Sequence, residues 1–156
     1  MESLTFMMGE FAAKFPTDRL YAKNHMWALQ VESSQPAVTR FGFTAYAVRL
    51  LQDVYFLDWY FDAPAQVVVR QEMGTVESKK AESSLYIPLG GELTQFNPRL
   101  LADPSGINVD KYGEGWLFDI QCDPLENETL MSALQYLEHL EQVWKITQQT
   151  IKGQLN

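Results

Sequence analysis

Residues 74–93, GTVESKKAESSLYIPLGGEL, are the stretch that decides the expected fold. Two strand-forming runs, residues 75–76 and 85–87, flank a short polar centre that carries two adjacent lysines, Lys79 and Lys80. This order of residues predicts a β-hairpin with both lysines at its exposed tip. A lysine in such a place is either an ordinary solvated charge or a residue that a modifying enzyme can reach. From the tip alone, the ordinary charge is the better interpretation.

The composition is that of one domain with a core of its own. The chain has 156 residues, of which 46% are hydrophobic and 21% charged, so disorder is not expected. The net charge of −8 argues against a nucleic-acid partner, whose phosphates would repel the protein. No apolar run approaches the roughly 18 residues that a membrane span needs, and the N-terminal residues lack the basic segment of a secretory signal. With a single cysteine, Cys122, these features predict a reduced, cytoplasmic setting without a membrane partner.

The remaining pattern predicts many short strands framed by two helices. Residues 4–15 carry apolar side chains at helical spacing and end at Pro16, which predicts a short N-terminal helix in an extension over residues 1–19. Thr44 is expected to cap a short helix over residues 45–51. Further strands are predicted over residues 27–31, 38–43, 53–61, 65–69, 91–95 and 115–121, and mostly loop over residues 97–111.

The end of the chain changes character. From about residue 126 to residue 152, apolar side chains recur at steps of three or four without an internal proline, which predicts a long amphipathic helix. Its expected apolar stripe consists of Leu130, Leu134, Leu137, Leu140 and Trp144. Together the elements predict a mainly β sandwich or barrel over residues 20–122, with this helix packed on it.

The chain has no strong signal for an enzyme active site. It lacks the GxSxG, GxxxxGK[ST] and HExxH motifs, and its cysteine and two histidines have no metal-ligand spacing. His25, in the sequence NHMW, is expected to be a structural residue packed near Trp27. A protein without catalytic activity of its own is therefore expected.

The hairpin has a more specific interpretation, because VESKKAESSLYIPLGGEL resembles the lipoyl-attachment hairpin of the glycine cleavage system H-protein family. That family reads approximately V-E-S-x-K-A-x-S-x-L-Y-x-P-x-x-G-E. The residues that match this pattern in register are Val76, Glu77, Ser78, Lys80, Ala81, Ser83, Leu85, Tyr86, Pro88, Gly91 and Glu92. The resemblance implies that Lys80 carries lipoate as an amide, and that a lipoate ligase or lipoyl transferase reads Glu77, Ser78 and Ala81.

Three further motifs extend the resemblance over about residues 20–121. NHMW at residues 24–27 is similar to the family's S-H-E-W, FGFTAYA at residues 41–47 to V-G-I-T-x-Y-A, and YGEGWL at residues 112–117 to Y-G-E-G-W. The fold that this implies is a barrel-sandwich hybrid of two antiparallel sheets with a terminal helix, expected to be a monomer. The implied partners are the glycine cleavage decarboxylase, aminomethyltransferase and dihydrolipoamide dehydrogenase, or paralogous lipoyl-dependent enzymes.

The sequence departs from the family pattern at three positions of the implied cleft for the loaded arm. The resemblance implies that the serine and glutamate of S-H-E-W, and an aspartate four residues after the lysine, hold a cationic aminomethyl group. Here these positions are Asn24, Met26 and Ser84, none of which is charged. Three hypotheses follow: a standard aminomethyl carrier, a lipoyl carrier for a sulfur or acyl cargo, or a scaffold that is never lipoylated.

Overall fold

The computed structural model describes residues 2–31, 37–122 and 129–155, with side chains described as far as residue 149. These residues form antiparallel strands and four helices. In chain order the elements are β1 (Ser3–Met8), β2 (Phe11–Pro16), β3 (Leu20–Tyr21), β4 (Met26–Val31), β5 (Val38–Phe43), α1 (Ala45–Leu51), β6 (Val54–Trp59), β7 (Ala65–Val67), β8 (Glu72–Ser78), β9 (Glu82–Tyr86), β10 (Gly91–Phe96), α2 (Pro98–Ala102), α3 (Gly106–Val109), β11 (Phe118–Cys122) and α4 (Ala133–Leu155).

Two sheets enclose the main core. The larger has the order β3-β4-β5-β11-β10-β7, and the smaller has the order β6-β8-β9. Both contribute to one buried cluster, which includes Phe41 and Ile120 from the larger sheet and Val76 and Leu85 from the smaller. The prediction of a mainly β, antiparallel fold with a C-terminal helix is confirmed. No helix in the described ranges is both long and apolar enough to cross a membrane.

Local sequence signals place several elements correctly. Thr44 caps the N-terminus of α1, and its hydroxyl accepts a hydrogen bond from the Ala47 N–H at 3.3 Å. Gly42 lies under the indole of Trp27, where an added Cβ would be 2.5 Å from the ring, so a side chain at this position would exclude the close packing of β4 on β5. The segment predicted as mostly loop, residues 97–111, instead contains the two short helices α2 and α3.

The predicted N-terminal helix is wrong, because the segment forms the β1–β2 hairpin. Its apolar residues fit a period of two as well as a helical spacing, and Gly9 adopts φ +66° at the turn between the strands. The inward residues of the hairpin pack with Tyr136 and Leu140 of α4 in a second buried cluster; these residues are Phe6, Met8, Ala13 and Phe15. Burial against α4 therefore favours the strand conformation over the helix.

The C-terminal helix begins later than predicted. Residues 126–128 lie outside the described residues, and α4 begins at Ala133. Before it, Met131 exchanges backbone hydrogen bonds with Tyr21 at 2.7 and 2.8 Å. Ser132 and Gln135 then cap the helix reciprocally, since each accepts the other's backbone N–H on its side chain. The bridge to β3 thus fixes where the helix starts.

The apolar stripe of α4 departs from the prediction at Leu134, whereas Leu137, Leu140 and Trp144 pack in the second cluster as expected. Leu134 is 56% exposed, whereas Tyr136 and Leu140 are fully buried. The buried face packs against β1 and β3. Tyr136, which the predicted stripe did not include, is therefore part of the buried face, and Leu134 is not.

Candidate functional site

The hairpin formed by β8 and β9 holds the candidate modification site. Glu77 pairs with Glu82 next to the tip, and Val76 pairs with Ser83. Val76 and Leu85 are buried in the main core, so both strands are anchored to the body of the domain. Residues 79–81 project beyond the last strand pair and are exposed.

Ser78 fixes the conformation of the tip. Its backbone N–H donates to the Ala81 carbonyl at 2.8 Å, and its hydroxyl donates to the same carbonyl at 3.1 Å. The hydroxyl also accepts from the Ala81 N–H at 3.1 Å and from the Lys80 N–H at 3.4 Å. Because Ser78 is only 5% exposed, this turn is held from inside the protein, and Ser78 has a structural role that the motif alone did not reveal.

A second anchor holds the tip from the opposite side. The Lys79 N–H donates to the Asp53 carbonyl at 2.9 Å. The loop that contains Asp53 is in turn fixed by Asn108, which accepts from the Val54 N–H at 2.9 Å and donates to the Gln52 carbonyl at 2.6 Å. Sequence reasoning missed both Asp53 and Asn108, because contacts between segments so distant in the chain leave no local signal.

The two lysine side chains are left available by this arrangement. Lys79 and Lys80 are both exposed, and among the described residues neither forms an ion pair. The backbone at the tip is therefore ordered while the amines remain in solvent. The tip therefore combines a defined turn with accessible amines.

The three positions that depart from the family pattern lie near the other end of β9. The Asn24 amide donates to the Tyr86 carbonyl at 3.1 Å and lies 3.7 Å from the Met26 sulfur. Ser84 is half-buried two residues earlier on the same strand. Met26 is 1% exposed and belongs to the main core, so it presents almost no surface to solvent. That these three residues form a cleft for the loaded arm stays a prediction.

His25 has the structural role expected of it, with different neighbours. Its ring lies 4.6 Å from that of Tyr46, and its Nδ1 is 2.8 Å from the Tyr136 hydroxyl, which also contacts the Thr44 hydroxyl at 3.0 Å. The expected neighbour was Trp27, whose indole N–H instead donates to the Lys111 carbonyl at 2.9 Å. Burial, and then the nearby His139, lowers the pKa of His25 to about 4. It is therefore neutral at pH 7 and ties the start of β4 to α4.

Comparison with known proteins identifies the family. The glycine cleavage H-protein family matches residues 19–143 of this chain. The chain belongs to the glycine cleavage H-protein family. Its relatives include the glycine cleavage system H protein of Synechococcus sp. (strain WH7803), which is 40% identical over 126 residues, covering 80% of this chain and 94% of the relative. The H protein of Rubrobacter xylanophilus is 36% identical over 130 residues, covering 83% and 98%.

The fold agrees with a solved H protein. The crystal structure of a glycine cleavage system H protein from Mycobacterium marinum superposes with a TM-score of 0.67 at 30% identity, covering 80% of this chain and 98% of that one. The resemblance and the fold class expected from the sequence are thus confirmed. The β1–β2 hairpin and the last part of α4 lie outside the family match over residues 19–143.

Members of the H-protein family are carrier proteins that hold lipoate covalently on a lysine. The tip of the β8–β9 hairpin fits this group, because Lys80 is exposed, carries no ion pair in the described ranges, and follows the fixed residue Ser78. The described residues contain no cluster of His, Cys, Asp and Glu suited to a metal ion. The tip thus offers an exposed amine on an ordered turn.

Proposed function

We propose that this protein is a lipoyl carrier of the glycine cleavage type, with lipoate attached as an amide to Nζ of Lys80. The observation that carries the proposal is the ordered, exposed tip, in which Ser78 and Asp53 hold the backbone on either side of the lysine pair. When attached, lipoate supplies a disulfide that can accept a group from one enzyme and release it to another. The protein's own contribution is to present the arm, so no catalytic residue is assigned.

In the standard role the arm carries an aminomethyl group from the glycine decarboxylase to the aminomethyltransferase, and dihydrolipoamide dehydrogenase reoxidises it. We assign this chain the same partners, together with a lipoate ligase or lipoyl transferase that modifies Lys80 in the cytoplasm. That enzyme would read the turn residues Glu77, Ser78 and Ala81. Of these, Ser78 acts through the turn it stabilises, since its side chain is buried.

The test is modification of the lysine in a host that can lipoylate proteins. Intact and peptide mass spectra should show one lipoyl group on the wild type, none on Lys80→Arg, and one on the neighbouring control Lys79→Arg. Because Lys80 is exposed and forms no ion pair with any described residue, Lys80→Arg should leave the thermal midpoint unchanged. A wild type that stays unmodified beside a lipoylated H protein from the same cells would overturn the proposal and favour an unlipoylated scaffold.

A second candidate function is carriage of a different cargo, such as a sulfur species or an acyl group. It is favoured by the three uncharged positions Asn24, Met26 and Ser84. A cationic aminomethyl group would find no carboxylate at any of them. The lipoylated protein should then support glycine decarboxylation poorly when mixed with the partner enzymes of a standard system. Full activity in that reconstituted reaction would contradict the altered cargo and support the standard role.

A further inference from the structure

A groove of about 310 Å³ lies beside the β8–β9 hairpin, between β2, α1 and the segment that precedes β11. Its apolar surface comes from Phe11 of β2 and from Ala45 and Val48 of α1. The volume falls at the lower end of the range for small-ligand sites, about 300–1,000 Å³. Phe11 precedes the family match, which begins at residue 19. One wall of the groove is therefore supplied by the added hairpin of this chain.

One end of the groove adjoins the attachment site. Asp53 lines the groove, and its carbonyl accepts the Lys79 N–H at 2.9 Å. Lys80 is the next residue, so the backbone that carries the arm lies close to this end of the groove. The Asn108 side chain fixes the backbone on both sides of Asp53. The groove and the hairpin tip are therefore held in a fixed position relative to each other.

The charges that line the groove favour an anion. Arg49 and Lys111 both contribute to it, and neither forms an ion pair within the described residues. The Arg49 guanidinium carbon lies 4.5 Å from the centre of the Phe11 ring, a contact that leaves its N–H groups free to donate. Two cations against the single carboxylate of Asp53 make a locally positive site in a chain whose net charge is −8.

An apolar surface next to two cations that form no ion pair in the described part of the chain suits an apolar chain that ends in an anionic group. We propose that this groove binds the free end of the lipoyl arm on Lys80 when that end carries an anionic group such as a carboxylate. The inference rests on the proposed attachment of lipoate to Lys80. It concerns residues on α1 and β2, apart from the implied cleft positions Asn24, Met26 and Ser84, and it favours anionic over cationic loads.

The test compares two arms of similar size that differ in charge. ¹⁵N-labelled protein is lipoylated with a lipoate ligase, attachment is verified by intact mass, and the arm is reduced to its dithiol. One portion is alkylated with iodoacetate and another with iodoacetamide, so that each thiolate sulfur displaces iodide and ends in a carboxylate or a neutral amide. Unlipoylated protein treated in the same way reports any modification of Cys122.

The readout is the position of backbone amide signals in nitrogen–proton correlation spectra. The carboxylate arm should shift the signals of Val48, Gln52 and Lys111, and the neutral arm should not. The double variant Arg49→Gln/Lys111→Gln should lose these shifts, and Arg49→Lys should retain them. Arg70→Gln removes an exposed cation that does not line the groove and serves as the matched control. Raising the salt to about 1 M should reduce the shifts, since the Debye length falls to roughly 3 Å.

Three results would overturn the inference while leaving the carrier function intact. They are equal shifts with both arms, shifts confined to the surroundings of Asn24 and Ser84, and no shifts in protein whose mass verifies lipoylation. If the ligase leaves Lys80 unmodified while it modifies a standard H protein, the proposed function and this inference both fail. The mass spectrum therefore separates failure of the groove from failure of the carrier function.

Discussion

Replacing Ser78 by alanine isolates what the buried side chain contributes to the modification hairpin. The hydroxyl makes contacts of 3.1 Å with the Ala81 N–H and the Ala81 carbonyl, and a longer contact of 3.4 Å with the Lys80 N–H. The backbone bond from Ser78 to Ala81, at 2.8 Å, remains in the variant. The substitution therefore weakens the turn without removing the strand pairs that hold the hairpin.

The expected magnitude follows from these contacts. A typical hydrogen bond contributes about 0.5–1.5 kcal/mol net. The two contacts at 3.1 Å and the longer one at 3.4 Å together contribute more than one such bond. Because the tip is exposed, water replaces part of the hydrogen bonding that the substitution removes. We expect the free energy of opening the turn to fall by about 1–2 kcal/mol, which raises the open population roughly 5–30-fold.

Amide hydrogen exchange measures this directly. In Ser78→Ala the Ala81 and Lys80 amides should exchange roughly 5–30-fold faster than in the wild type, while amides in the β8–β9 ladder change little. The control is Ser83→Ala on the same hairpin, because the Ser83 hydroxyl is exposed and makes one contact of 3.3 Å with the Ser84 carbonyl. Unchanged exchange at Ala81, or equal acceleration in both variants, would refute the assigned role of Ser78.

The remaining predictions concern stability. The pKa of His25 is lowered to about 4 in the folded protein, so the unfolded chain binds more protons between about pH 6.5 and 4. Stability should therefore fall by about 1.5 kcal/mol from pH 6.5 to 5 through this residue alone, as measured by urea unfolding. Asp119 is 2% exposed and bonded twice to Arg40 at 2.9 and 3.1 Å. Asp119→Asn should destabilise the fold by about 1–3 kcal/mol, because Arg40, whose side chain is 30% exposed, loses a charged partner that solvent replaces only in part. Gly42→Ala should destabilise the fold by about 1–3 kcal/mol, since the new methyl group collides with the buried Trp27, and chemical denaturation would measure this.

Each of these predictions has a matched control. His25→Asn keeps a residue that tolerates φ 67°, and it should remove the His25 contribution to the slope of stability between pH 6.5 and 5. Asp58→Asn changes an exposed carboxylate and should cost less than about 0.5 kcal/mol. Gly9→Asn places a side chain in open space at φ +66° and should be nearly neutral. If a control matched its test variant, the contacts invoked for that variant would not be the cause.

Local chemistry in the sequence was enough to predict most of the strands. The cap at Thr44 depends on residues next to it in the chain, and the structure has it. The N-terminal segment failed the same reasoning because its apolar residues fit two periods. Only the packing of Phe6 and Phe15 against α4 distinguishes the hairpin from the helix.

The candidate site divides in the same way. The motif picked out Lys80 and its turn residues, because a hairpin tip is built from residues close together in the chain. It gave no sign that Asp53 would hold Lys79, or that Asn108 would hold the Asp53 loop. Asp53 and Lys79 are 26 positions apart in the chain, and Asn108 is at least 54 positions from the residues that it holds. Pairs so far apart leave no local pattern.

The sequence by itself determined the family, the antiparallel β-rich fold and the lysine that the hairpin exposes, because these follow from motifs and alternation within short segments. Tertiary structure alone decided that residues 3–16 are strands, that Met26 is buried in the core, and that α4 begins at Ala133. It also decided that Phe11, Arg49 and Lys111 share a groove beside the tip. The physical reason is that burial and charge depend on which distant segments meet, and that is settled only when the whole chain packs.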